Sequence, residues 1–119
     1  MTYLPGGPLP TGTNTIGNVG TKPASVTLVP LDISQVTTGG TAVVALIAGH
    51  RSAGGWIQNP ATATINLGIN EIDTASGTLT VGNTTFIAPG QNYVLAASGN
   101  AVSVISSDGT HPFSGAGFQ

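Results

Sequence analysis

Few side chains in this sequence can carry acid–base or nucleophilic chemistry, and their spacing decides what that chemistry would be. His50 and His111 are the only histidines, cysteine is absent, and the charged residues are Lys22, Asp32, Arg51, Glu71, Asp73 and Asp108. His50 lies in Ala48-Gly49-His50-Arg51-Ser52-Ala53-Gly54-Gly55, so a hydrolytic grouping would need Ser52 as nucleophile and Asp73 or Asp108 behind the imidazole. No G-x-S-x-G elbow presents a serine, and histidines in loops are commonly polar surface residues, so neither a catalytic residue nor an enzyme is expected. The glycine-rich corner lacks the Gly-Lys-Ser/Thr ending of a phosphate loop, and no helix follows it. Its expected task is to let the chain turn before Trp56 enters a sheet. Glu71 and Asp73 share a face if their strand continues, and Asp108 could join them around a hard cation such as Ca²⁺. Acidic pairs at strand ends are more often solvated caps, and neither a metal nor a cofactor is expected. Trp56, Gln58 and Asn59 set an aromatic face beside two amides, the residue types that hold a sugar ring, although a core or interface anchor is the commoner role for such a Trp. Arg51, the only cation after Lys22, is read as an interface residue that would pair with Asp73 or with a carboxylate on a partner.

The elements that would position these residues are strands. From Ser25 onward, short runs of Val, Ile, Leu and Thr are broken by Gly, Asn, Asp, Ser and Pro every eight to twelve residues, and no apolar stripe has a helical period. The pattern predicts an all-β fold, an antiparallel β-sandwich of jelly-roll or immunoglobulin-like type. Candidate strands are Ser25–Leu31, Ala42–Ala48, Trp56–Asn59, Ala63–Asn70, Thr78–Val81, Thr85–Ala88, Asn92–Ala97 and Ala101–Ser106. Alternation places Val26 with Leu28, Ile65 with Leu67 and Ile69, and Val102 with Val104, each set on one shared face. Ala42–Ala48 is apolar on both faces and reads as a central strand or one with an interface on one side. Residues 1–24 are rich in Pro and Gly and read as an extended arm, 25–107 as the sandwich domain, and 108–119 as a loose C-terminal tail anchored by Phe113 and Phe118.

Composition narrows what such a domain can touch. Charged residues make up 5% of the 119, against about 25% in an ordinary soluble domain. A chain so poor in charge is expected to cover much of its surface with other protein copies. The formal net charge of −2 and two basic residues leave no cationic face for phosphates, so no nucleic acid is expected. No apolar run approaches the roughly 20 residues that span a bilayer, and no membrane is expected. The N-terminal Met-Thr-Tyr-Leu-Pro-Gly-Gly has neither a basic leader nor an apolar core, so no secretory signal is expected.

Two segments carry a family resemblance: LPTGTNTIGNV, from Leu9 to Val19, and VTTGGTAVVALIAGHRSAGGWIQNPATATINLGINE, from Val36 to Glu71. The first is similar to the Leu-Pro-x-Gly-Thr-Asn-x-Ile-Gly linkers of phage fibres. The second resembles small phage β-sandwiches in which a strand passes through a Gly-rich corner to an aromatic residue and Gln-Asn. Together they resemble head- and tail-associated structural proteins of tailed bacteriophages, including decoration and fibre proteins. The resemblance implies a virion protein made in a host cytoplasm, decorating or stabilising the capsid or forming the attachment base of a head or tail fibre. It implies a homo-oligomer, a trimer, that contacts the major capsid protein or other virion proteins. Leu4, Leu9, Ile16 and Val19 would be apolar pegs of the arm, and Arg51 and Trp56 the domain's interface residues. The alternative is a receptor- or carbohydrate-binding module of a tail fibre, with Trp56, Gln58 and Asn59 at its site.

Overall fold

In the computed structural model, residues 25–73 and 77–119 are described; the arm with Leu4, Leu9, Ile16 and Val19 lies outside them. Among the described residues the β-branched and aromatic runs form strands β1 (Leu28–Pro30), β2 (Gln35–Val36), β3 (Val43–Leu46), β4 (Gly55–Gln58), β5 (Leu67–Asn70), β6 (Thr84–Ile87), β7 (Asn92–Leu95), β8 (Val102–Ile105), β9 (His111–Pro112) and β10 (Ser114–Phe118). They assemble into two four-stranded antiparallel sheets, ordered β1-β10-β4-β7 and β3-β8-β5-β6, and a small β2-β9 ribbon.

The pairing is nested. β5 pairs with β6, β4 with β7, β3 with β8, β2 with β9 and β1 with β10, so the chain is one long antiparallel hairpin bent at the β5–β6 loop. Lateral pairing of β10 with β4 and of β8 with β5 rolls that hairpin up and divides it between the two sheets. This is the double-sheet jelly roll, one of the two sandwich types expected from the sequence. At its outer end Thr27 and Gln119 exchange both backbone hydrogen bonds, at 2.8 and 2.9 Å.

The sheets enclose Ala45, Leu46, Ile57, Leu67, Ile69, Ile87, Leu95, Val102 and Val104, joined by Val36 and Phe113. Full burial of each branched aliphatic side chain is worth about 1.5–3 kcal/mol. Leu67 with Ile69 and Val102 with Val104 point inward, as alternation requires. Ile65 precedes its strand and is half-buried.

Val26 and Leu28 share a face, and it is the outer one, with Val29 facing in, because Val29 is the β1 residue set opposite the glycine pair of the neighbouring strands (Gly117 and Gly55), whose vacant side chains leave room on the inner face. Other expectations are corrected. The Ala42–Ala48 run is an edge strand broken by a bulge between Val44 and Leu46, where the Ala45 carbonyl turns away to accept from Asp32 N–H. Thr78–Val81 is not a strand: Asp73 takes the Thr80 N–H, Asn83 N–H returns to the Thr80 carbonyl, and a short 3₁₀ turn, Val81–Asn83, follows. The supposed loose tail from 108 to 119 belongs to the sandwich, and β10 is central in its sheet. Phe113 is buried in the core, whereas Phe118 is half-buried.

β10, Ser-Gly-Ala-Gly-Phe, has no β-branched residue, and its glycines explain why it can sit there. A Cβ on Gly115 would run into the Trp56 carbonyl oxygen, and one on Gly117 into that of His50. Gly82, by contrast, has open space around it. Gly117→Ala is therefore expected to destabilise the fold by about 2–3 kcal/mol and Gly82→Ala by less than about 0.5 kcal/mol, read from urea midpoints.

Candidate functional site

The polar side chains gather at the two ends of the roll. One end holds the β3–β4, β5–β6 and β7–β8 loops, and Arg51 lies between them, 1% exposed. Its backbone is fixed first: the Arg51 carbonyl accepts from Gly54 and Ser98 N–H. Its guanidinium then donates to the Glu71 carboxylate at 2.6 Å, to the Ala96 carbonyl at 2.7 Å, to the Asn100 carbonyl at 2.9 Å and to the Glu71 carbonyl at 3.3 Å. Glu71 also accepts from the Tyr93 hydroxyl at 2.6 Å and from Ala96 N–H at 3.0 Å. Burial pushes the Tyr93 pKa up, and the hydrogen bond to Glu71 and the carboxylate's charge add to the rise. The expectation of Arg51 as an interface residue pairing with Asp73 or a partner is thus corrected: its partner is Glu71, with Arg51 buried and Glu71 half-buried. A concavity of about 420 Å³ opens beside this pair, walled also by Ile72, Asn83, Thr85 and Ser98. The charged groups in its wall already satisfy one another.

At the other end His111, buried, bridges Asp108 and Asn59, with Nδ1 2.7 Å from the carboxylate and Nε2 2.8 Å from the Asn59 amide oxygen. The Asn59 amide nitrogen donates to the carbonyls of Ile65 and Ile87, which fixes the orientation of that amide. Asn59 is 0% exposed, so it leaves the sugar-contact set expected from its neighbours Trp56 and Gln58.

The remaining candidates disperse. His50 Nδ1 meets Asp32 at 2.9 Å, and Ser52 is exposed on the loop, so the Ser52–His50 grouping with Asp73 or Asp108 does not form. Asp73 accepts from Asn70 and from Thr80 N–H. Glu71, Asp73 and Asp108 therefore point to three different partners, and among the described residues no group of three acidic, His or Cys side chains could hold a metal.

What the sequence did not bring together is the outer face of the β1-β10-β4-β7 sheet. Ile57, Leu95 and Val29 are buried inward, so their strand neighbours point out. The register sets Leu28 opposite Phe118, then Pro30, Ala116, Trp56 and Val94 in one row across all four strands, then Ser114, Gln58 and Asn92 in the next. Trp56 and Gln58 were legible candidates. Leu28, Asn92, Val94 and Ser114 were missed, since their place depends on recognising β10.

Comparison of the chain with protein-family models, with curated proteins and with solved structures finds no match in any of the three.

Two measurements test this electrostatic scaffold. Arg51→Ala leaves the Glu71 carboxylate without its counter-ion and is expected to cost about 3–5 kcal/mol in urea unfolding, more than the mutually compensating pair Arg51→Met with Glu71→Gln. The second concerns acid. Partial loss of water raises the pKa of Asp73 and of Asp108, but hydrogen bonds from Asn70, Thr80 and Asn83 to the first, and from His111 and Ser106 to the second, outweigh this and hold both below the ordinary 3.8. A depressed carboxyl adds stability above its unfolded pKa and loses it as the pH falls through the folded one. The urea midpoint should therefore fall as the pH drops below about 4, and less steeply in Asp73→Asn and Asp108→Asn, whose neutral amides do not titrate.

Proposed function

We propose that this chain is a non-enzymatic structural subunit of a virion, made in a host cytoplasm, that decorates or stabilises the capsid or forms the attachment base of a head or tail fibre. It works by homo-oligomeric packing, a trimer by the resemblance, and by an N-terminal arm bearing Leu4, Leu9, Ile16 and Val19. The observation that carries this reading is the disposition of charge. Asp32, Arg51, Glu71, Asp73 and Asp108 are all engaged with internal partners at loops, so the outer face of the β1-β10-β4-β7 sheet has no ionised side chain. Uncharged faces favour association over dispersal. The jelly roll is consistent with this, being a frequent scaffold of capsid subunits, though the same architecture also serves lectins.

A second reading has its own support. Gln58, Asn92 and Ser114 lie next to Trp56 on one face, an aromatic surface with hydrogen-bonding amides suited to a neutral sugar, with Asn92 in the role first assigned to Asn59.

Quantitative mass spectrometry of purified particles separates the two. The structural role predicts tens to hundreds of copies per particle, and Ser at Leu4, Leu9, Ile16 and Val19 together should abolish incorporation without moving the thermal unfolding of the sandwich. The sugar-binding role predicts glycan binding that Trp56→Ala removes while incorporation persists. Absence of the chain from particles would overturn the structural role.

A further inference from the structure

We infer that the outer face of the β1-β10-β4-β7 sheet is the surface on which one copy of this chain packs against another, an inference that rests on the structural role above and names its contact. Two of the three rows of this face are apolar and the third, Ser114, Gln58 and Asn92, is polar and uncharged. Val94 is 80% exposed, Leu28 64% and Val26, just before β1, 59%, and Trp56 and Phe118 are half-buried between them. Four strands at about 4.8 Å spacing make this a strip roughly 15 Å wide. Contiguous apolar surface of this kind marks a contact.

The opposite sheet differs at one end of its outer face. Its outward Asn70 and Ser103 are fully buried. The β5–β6 loop lies over them, with the Ile72 and Asp73 N–H groups donating to Asn70 and the Ser103 hydroxyl to the Asp73 carbonyl. The chain covers that end of the face itself, and at the other end Phe86, outward on β6, is 51% exposed. Among the described residues nothing does the same for the β1-β10-β4-β7 face.

Charge selects the occupant. The nine outward residues of the three rows are Leu, Phe, Pro, Ala, Trp, Val, Ser, Gln and Asn, so an acidic or basic partner would bury its charge against this face without a counter-ion. The match is an equally neutral surface, and a second copy of the same chain supplies one. Strand addition is restricted at one end of each edge strand of this sheet. β1 ends in Pro30, which has no N–H to offer. Just past β7, the Ala96 N–H and carbonyl are taken by Glu71 and Arg51.

Sedimentation equilibrium of the full chain over about 1–100 μM tests the inference. Concentration-dependent association is expected, weakened at least about tenfold by Val94→Asp and by Leu28→Asp, each of which would bury an unpaired carboxylate in the contact. Both sites are exposed in the monomer, so thermal unfolding of the dilute variants should match the parent. Val81→Asp, at an exposed loop position outside the sheet, should associate as the parent does. The inference is overturned if Val94→Asp and Leu28→Asp associate like the parent, or if only the Ser substitutions at Leu4, Leu9, Ile16 and Val19 abolish association, which would make the arm the occupant. It is also overturned if the chain stays monomeric and binds a neutral oligosaccharide through Trp56. A monomer that still enters particles would remove this contact and leave the structural role standing.

Discussion

A guanidinium taken out of water must be met by oxygen around its rim, and that requirement organises this molecule. Arg51 draws its acceptors from the β5–β6 loop and from both ends of the β7–β8 loop, and its own loop joins β3 to β4. The crossings at one end of the roll are thereby tied to one side chain. Glu71 extends the tie to Tyr93 in β7, and thus across the gap between the sheets.

Such a pair contributes little net stability, because desolvating two charges offsets much of their attraction. Its value in this fold is positional. A nested hairpin brings the first and last strands together only after long stretches of chain have closed, and sheets of short strands can slip in register. The Arg51 cluster at one end and the Asp108–His111–Asn59 chain at the other disfavour slipped pairings, since displacing either would strand a buried polar group. With the charges committed to loop contacts, the β1-β10-β4-β7 face is left neutral.

The sequence disclosed what local pattern controls. Alternation in Leu67–Ile69 and Val102–Val104, and turn residues between runs, were enough for the all-β sandwich. Long-range contacts decided the remainder. β10 reads as loose Gly-rich chain because its strand character comes from the close carbonyls of Trp56 and His50, which only small residues admit. Leu28 faces out because the identity of its neighbour strand decides which side of β1 has room. Arg51 misled because charged residues are usually at the surface, and its counter-ion lies twenty residues away, in the β5–β6 loop. Asn59 was grouped with Trp56 and Gln58 by adjacency, although period two already put Gln58 and Asn59 on opposite sides.

The mutual hydrogen bonds of Thr27 and Gln119 have a practical corollary. The chain enters the roll at Thr27 and reaches Gln119 at the same corner of one sheet, so a tag or cargo appended after Gln119 would sit beside the point where the leading segment joins. A short peptide could splice the two together, and new ends could then be opened at an exposed turn such as Pro89–Gly90, giving a rewired chain with every strand pairing preserved.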